Sequence, residues 1–422
     1  MVLPTLGAWR WLMAETSYGY IIVGGGLAGA WAVTGIRELD QEGSILLLGR
    51  ERFLPYNRPP LSKKLWLGQK KIEDIFVHND LSYAENGVDV RLGTEAVGLD
   101  PLNKTISDSR GDTHGFEKLL IATGGVPRTL DIPGRDISGI CYYRYLDDYV
   151  RMRIDASQGK SAVIVGGGFI GSELAAALNV NGVDVTMVFP EAYIAQRIFP
   201  ESFGRAIMNH YPEKGVKVFA DDIPTAFEKT GGQFITHTRT GRELRSDILL
   251  VGAGITPNTD LAQSAGMEIS NGIVANEHLQ TSHPDIYAAG DNAFFPYAAL
   301  GQRMRIEHWD NALNQGLCAG RNMAGAGDVY DHMPYFWSDL FEYGYEAVGD
   351  IDSNLQTFPD WIRENHTGVI YYIRAGSVVG VMTCNIYGKM DAVREVLSSG
   401  EQVRPDDLKG IFKEPSADQQ AA

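Results

Sequence analysis

The sequence predicts an α/β protein: two parallel-sheet domains of the same build, then a smaller α+β domain. Two observations predict it. A short apolar run, a glycine turn and an alanine-rich stretch occur twice, first as Tyr20-Ile21-Ile22-Val23-Gly24-Gly25-Gly26-Leu27-Ala28-Gly29 and again as Ala162-Val163-Ile164-Val165-Gly166-Gly167-Gly168-Phe169-Ile170-Gly171. A second block, Leu119-Leu120-Ile121-Ala122-Thr123-Gly124-Gly125, is echoed by Leu249-Leu250-Val251-Gly252-Ala253-Gly254-Ile255. Each first block reads as a buried strand, a turn and a helix, and each second block as a strand ending in glycine. Two domains, each opened by the turn and closed by such a strand, are the economical organisation.

Composition agrees. At 422 residues the chain has room for two to three domains of roughly 150 residues each. Its 48 glycines, over a tenth of the chain and without a collagen-like period, ask for backbone that lies close to a ligand. Three cysteines, Cys141, Cys318 and Cys384, are too few and too dispersed for a disulfide framework, a zinc module or a C-x-x-C pair. A reducing, cytoplasmic setting fits them. A net charge of −16 argues against a binder of nucleic-acid phosphates. No apolar stretch reaches the ~20 residues of a membrane span, and Met1 to Thr16 lacks the pattern of a signal peptide. That stretch reads as an extension, with a natural start at Met13, and residues 413–422 as a polar tail.

The glycine turn has a specific chemistry. Its first glycine allows the tight turn, its second lets backbone approach a diphosphate, and its third lets helix and strand pack closely. Gly24, Gly26 and Gly29 fill these places in the first copy, and Gly166, Gly168 and Gly171 in the second. Phe169 and Ile170 open the second helix, where the diphosphate meets the amide dipoles. Two dinucleotides are therefore expected, one per domain. Gly124 and Gly254 end the closing strands beside them. An acid about 20 residues past each turn holds the ribose; the candidates are Glu51, beside the basic Arg50, and Glu191. No Lys or Arg lies between Phe189 and Gln196, so NADH is expected over NADPH.

With both turns, the Thr123-Gly124 segment and Ile286-Tyr287-Ala288-Ala289-Gly290-Asp291 in view, the chain resembles the two-dinucleotide FAD/NAD(P)H oxidoreductases of glutathione-reductase-like build. It is most similar to the apoptosis-inducing factor family and its prokaryotic members. That match rests on Arg58-Pro59-Pro60-Leu61-Ser62-Lys63-Lys64-Leu65-Trp66, Gly168-Phe169-Ile170-Gly171-Ser172-Glu173-Leu174, Arg305-Ile306-Glu307-His308-Trp309-Asp310-Asn311-Ala312 and Phe336-Trp337-Ser338-Asp339-Leu340. Reductases that feed ferredoxin-dependent oxygenases are the next neighbours. The resemblance implies FAD on the first turn, NADH on the second, and Asp291 on the flavin's polyol chain. The family carries an acid where Arg50 stands. Its thiol branches place a redox cysteine near Leu54 to Lys63, and this chain has none there.

The resemblance also nominates the reacting groups. Glu173, in the first turn of its helix, and Lys63, at the start of another, are expected to pair beside the flavin, where a cation stabilises negative charge on the reduced ring. Arg58, stiffened by two prolines, reaches a phosphate, a flavin carbonyl or a surface partner. Thr123 either faces the ligand or satisfies turn backbone. Glu307 and His308 open a helix toward Asn322 and lie against flavin and nicotinamide, with His308 titrating near neutrality. Trp337 stacks on one of these rings or belongs to the core. Lys63, Glu173 and His308 are thus the expected catalytic groups, and no metal is expected.

The expected domains are 17–147 with 256–331 for FAD, 148–255 for NAD, and an α+β cap at 332–412 that often mediates dimers in this superfamily. Three readings follow. The first is an NADH oxidoreductase with a long-lived complex of reduced flavin and NAD⁺, electrons leaving to oxygen or a quinone-like acceptor. The second is a reductase for a ferredoxin or rubredoxin. The third is an NADH-dependent dimerisation switch. From Asp331 onward acids outnumber Lys plus Arg 15 to 7, which disfavours nucleic acid as a partner.

Overall fold

The computed structural model describes residues 16–399 and 404–412; the readings of the N-terminal extension and of the 413–422 tail fall outside them. The first sheet has seven strands. Thr16–Val23, the strand before the first glycine turn, lies between Ile45–Gly49 and Thr113–Ile121, parallel to both. Val88–Leu92 extends this parallel run at one side, and Ile286–Ala288 extends it at the other. Ile45–Gly49 is buried throughout, and the flanking strands turn apolar and buried toward their ends, at Ile21–Val23 and Leu119–Ile121, as expected where a parallel sheet is covered on both faces.

The second sheet repeats the pattern. Ser161–Val165 lies between Asp184–Val188 and Ile248–Val251, all parallel, with Lys217–Phe219 beyond. Its fifth strand is Cys141–Tyr142. The second sheet therefore begins ahead of the expected boundary at 148, a short strand that carries too few residues to show in the hydropathy pattern. The chain crosses between the sheets on a two-stranded ribbon, Gly125–Pro127 against Ile255–Pro257.

The third sheet is antiparallel, in the order Tyr335–Leu340, Tyr343–Gly349, Ser377–Cys384, Thr367–Arg374, Gln356–Arg363. The helix Met390–Ser398 packs on it. This is the α+β part of the fold class.

One contact sets the position of the functional residues. The helix Trp309–Met323 runs along Leu27–Leu39 with backbones nearly touching. A Cβ on Gly316 would meet Ala28 O at 2.3 Å, one on Gly320 would meet Ala32 O at 2.2 Å, and one on Gly35 would meet Leu317 O at 2.2 Å. Only glycine allows this approach. Because Gly316 sits at Ala28, the two turns before it project roughly 10 Å past the first glycine turn. Glu307 and His308 ride on that projection. Among the described residues no helix is long and apolar enough to cross a membrane.

Candidate functional site

The two turns are built alike. Gly24 has φ +131°, and a Cβ there would meet Ala122 O at 2.1 Å; one on Gly29 would meet Gly24 O at 2.1 Å. Gly166, at φ +125°, and Gly171 are closed in the same way, against Gly252 O at 2.4 Å and Gly166 O at 2.1 Å. Ala122 and Gly252 belong to the second repeated block, so that block is the wall against which each turn closes. The middle glycines differ. Gly26 and Gly168 have nothing within 4 Å of a Cβ, and each stands at the N-terminus of its helix. That open flank beside free helix amides is an anion site.

Around the first turn, Asp291 Oδ2 accepts from Arg144 Nη2 at 2.9 Å. Gly290 N donates to Gln315 Oε1 at 2.8 Å. Four buried polar atoms near this spot lack protein partners: Arg144 Nε, Asn292 Oδ1, Gln315 Nε2 and His308 Nδ1. Orphans of this kind are uncommon and mark a missing ligand or water. Thr123 is not among them. Its hydroxyl donates to Asn258 O and accepts from Asn292 Nδ2, both at 2.9 Å, so it joins the wall together and satisfies turn backbone. Gly124, at φ +60°, leaves Arg144 Nη2 3.5 Å from its Cβ position, and Gly254, at φ +87°, faces open space.

Glu51 is engaged by the protein. Its two oxygens accept from Arg58 Nη2 at 2.7 Å and from the Tyr56 phenol at 2.6 Å. Arg58 also donates to Arg144 O at 3.0 Å, so Arg58 braces the loop that carries the Asp291 partner. Arg50 turns to the Tyr145 hydroxyl at 2.8 Å. In the second domain, Glu191 is half-buried and, among the described residues, has no ion-pair partner.

Lys63 and Glu173 meet as a buried pair, Nζ to Oε1 at 3.1 Å, with side chains 9% and 6% exposed. Their local settings differ from expectation. The prolines make Pro59–Ser62 a short 3₁₀ turn, and Lys63 caps its end; Glu173 is the fifth residue of Phe169–Val180, beyond the first turn. Both oxygens of Glu173 take further donors, Ser62 Oγ and Ser338 Oγ. Neither serine was singled out in the sequence, because one hydroxyl leaves no periodic signal. Breaking a buried pair of this kind costs about 3–5 kcal/mol. Trp337 lies 5.5 Å from Lys63 Nζ, stacks on Tyr335 at 5.4 Å and meets Trp309 edge-on.

His308 corrects an expectation. Burial pushes its pKa down to about 4, against a smaller upward pull from Asp291 and Asp310. It is neutral at pH 7 and does not titrate there. Its ring lies 4.4 Å from Phe336, which meets Phe169 edge-on at 5.6 Å. Burial pushes Glu307 upward, opposed by the adjoining Arg305.

Folding also assembles a group that the sequence spacing did not show. Asp108, Asp112 and His114 bring ligand atoms within 4.8 Å of one another. Arg91 Nη1 lies 3.4 Å from both Asp112 and His114, which makes this an ion-paired cluster on the far strands of the first sheet.

Comparison with known proteins follows the same lines. The family model described as pyridine nucleotide-disulphide oxidoreductase matches residues 18–316. That of the apoptosis-inducing factor, mitochondrion-associated, C-terminal domain matches 319–367. The chain is 32% identical to apoptosis-inducing factor 1, mitochondrial, of Dictyostelium discoideum, over 90% of this chain and 78% of that one. It is 31% identical to the ferredoxin–NAD(+) reductase component of the anthranilate 1,2-dioxygenase system of Burkholderia cepacia, over 92% and 96%. Monodehydroascorbate reductase 4, peroxisomal, of Arabidopsis thaliana is 32% identical over 92% and 82%. Among solved structures, the covalent putidaredoxin reductase–putidaredoxin complex aligns with a TM-score of 0.88 at 28% identity, over 94% of this chain and 96% of that one.

The relatives use FAD and NAD(P)H, and the residues present fit both groups. The open flanks at Gly26 and Gly168 admit two diphosphates, and the orphaned polar atoms cluster beside the first. By sequence match along most of its length and by backbone, the chain belongs to the pyridine nucleotide-disulphide oxidoreductase family.

Proposed function

We propose that this protein is an NADH oxidoreductase of the apoptosis-inducing factor type that keeps NAD⁺ over its reduced flavin. The observation that carries the reading is the aromatic wall at the meeting of the three sheets, His308 against Phe336 and Phe336 against Phe169. FAD, when bound, supplies the centre that takes a hydride from nicotinamide C4. The chain does the rest. Gly24, Gly26 and Gly29 with Asp291 and Arg144 would hold FAD, and Gly166, Gly168 and Gly171 with Glu191 would hold NADH. Lys63 presents a fixed cation, kept in place by Glu173. A neutral imidazole against the Phe336 ring offers no proton at pH 7.

The cysteines take no redox part in this reading. All three are free, and burial raises each thiol pKa, to about 12 for Cys141 and Cys318 and well above its usual value for Cys384. Thiolates, not thiols, attack or exchange.

A second reading, an NADH-dependent ferredoxin-type reductase, is favoured by the backbone likeness to putidaredoxin reductase. Anaerobic NADH titration of the FAD-loaded protein separates the two. The first expects a broad long-wavelength charge-transfer band that dithionite alone does not give, persistence for minutes in air, and a mass shift toward dimer. Reoxidation within a second, with no band and unchanged mass, overturns it in favour of the second.

A further inference from the structure

Resting on the oxidoreductase reading, we propose that Ser338 is a positioning residue: its hydroxyl holds Glu173 and, through it, Lys63, so that seating of the antiparallel sheet sets the cation at the flavin.

The Glu173 carboxylate is the point where the three sheets' territories meet. It stands on the helix that follows the second glycine turn. Oε2 accepts from Ser62 and Oε1 accepts from Lys63 at 3.1 Å, both in the proline turn of the first unit. Oε1 also accepts from Ser338 at 2.5 Å, on the edge strand Tyr335–Leu340 of the third sheet. The group is closed to water: Ser62 is 2% exposed, Ser338 1%, Glu173 5% and Lys63 8%.

The strand grips the pair from both faces. Neighbouring residues in a strand point to opposite sides; Ser338 reaches Glu173, while Trp337 lays its ring near the Lys63 ammonium. Ser338 also faces Tyr345, its cross-strand partner. A serine has one proton. Given to Glu173, it makes Ser338 a donor to the carboxylate. Ser62, Ser338 and Lys63 thus all donate to one carboxylate. Hydrogen bonds to a charged acceptor are among the strong ones, and a buried acceptor that loses its donor finds no water to replace it.

Ser338→Ala, Ser338→Cys and Ser338→Thr test this in the FAD-loaded protein. Cysteine keeps the shape with a poor donor, and threonine keeps the hydroxyl. The two-electron midpoint potential is measured by dye equilibration, beside FAD content and rapid reduction by NADH. Ser338→Cys and Ser338→Ala should each shift the reduction equilibrium negative by about tenfold, close to 30 mV for two electrons, and slow reduction by NADH by a similar factor. FAD content stays stoichiometric, and Ser338→Thr returns both values to within about twofold. In a Glu173→Ala background the serine change should add nothing, since coupled residues are not additive. An unchanged potential in Ser338→Cys, or effects that add in that background, overturns the proposal; so does failure of threonine to rescue. If NADH does not reduce the unmodified protein, the oxidoreductase reading falls instead, and the dithionite-titrated potential still decides the role of Ser338.

Discussion

The two glycine turns have one geometry and two surroundings. In both, the outer glycines are sealed against backbone at 2.1–2.4 Å and the middle one is open. Beyond the turn they part. The first is ringed by buried polar groups that the protein leaves unpaired, Arg144 Nε, Asn292 Oδ1, Gln315 Nε2 and His308 Nδ1. The second opens onto Phe169 and Ile170, 37% and 40% exposed. Unpaired buried polar atoms destabilise a fold until a ligand satisfies them; exposed apolar side chains at a helix start tolerate vacancy. The contrast predicts a retained cofactor at the first turn and an exchanging one at the second.

Glycine substitutions break this comparison most directly. Gly24→Ala sets a Cβ on Ala122 O at a positive φ, and should abolish both FAD retention and soluble folded protein. Gly26→Ala meets no protein atom. It should leave secondary structure by circular dichroism unchanged yet weaken FAD about 100-fold, because the new methyl enters the diphosphate's space. Gly168→Ala, its counterpart, should keep FAD stoichiometric and raise only the NADH dissociation constant, by about tenfold. Equal effects of the two on FAD retention would erase the distinction between resident and exchanging sites.

A smaller effect marks the first site alone. His308 has a folded pKa near 4 against an unfolded value near 6.5. Between these values the unfolded chain binds the proton that the folded chain refuses, so stability is full above pH 6.5 and falls as pH drops toward 4. After discount for partial exposure the loss is about 2 kcal/mol. Urea unfolding of parent and His308→Gln at several pH values checks it: the substitution should flatten the slope in that window. A slope unchanged by the substitution would assign the acid sensitivity to another group.

What was legible in the sequence was whatever repeats or is spaced regularly. The duplicated strand–turn–helix and the closing strands were legible, and the structure packs those two blocks on each other in each copy. Less visible were features made by single atoms or by distant chain. Gly316 and Gly320, one helical turn apart and closed against Ala28 and Ala32, set how far Glu307 and His308 project, and their four-residue spacing is the one local trace of it. Thr123 has no local mark to tell a wall from a ligand contact. The pKa of His308 is lowered by burial, and the ring it packs on, Phe336, comes 28 positions on, beyond any local pattern. Ser62 and Ser338 matter only because three sheets converge on one carboxylate.

The least effect, and the finest test of the second site, concerns the choice of nucleotide. Asp184–Val188 lies beside Ser161–Val165 in parallel register, so its end delivers Phe189-Pro190-Glu191 to the side of the glycine turn. A Cβ on Gly167 would sit 2.7 Å from the Phe189 ring, which fixes that end closely. Glu191 is tethered by its backbone oxygen, which accepts from Asp221 N at 3.1 Å, and its carboxylate is left without an ion-pair partner among the described residues. Such a group accepts hydrogen bonds from a ribose and repels a 2′-phosphate. The cations that matter come from far along the chain, where local spacing could not reveal them. Arg239 donates to Asp221 O at 2.8 Å, while Arg242 is held by Asp222 at 2.9 Å and lies over Phe219. Both are committed to that loop, so NADH should be preferred. Glu191→Ala should weaken NADH about fivefold and leave NADPH nearly unchanged, the loss of one charged acceptor, read from anaerobic flavin bleaching at graded nucleotide. FAD content should not move, since Glu191 belongs to the exchanging site. If NADPH is the better donor of the unmodified protein, the Glu191 argument fails, and Arg239 becomes the residue that reads the phosphate.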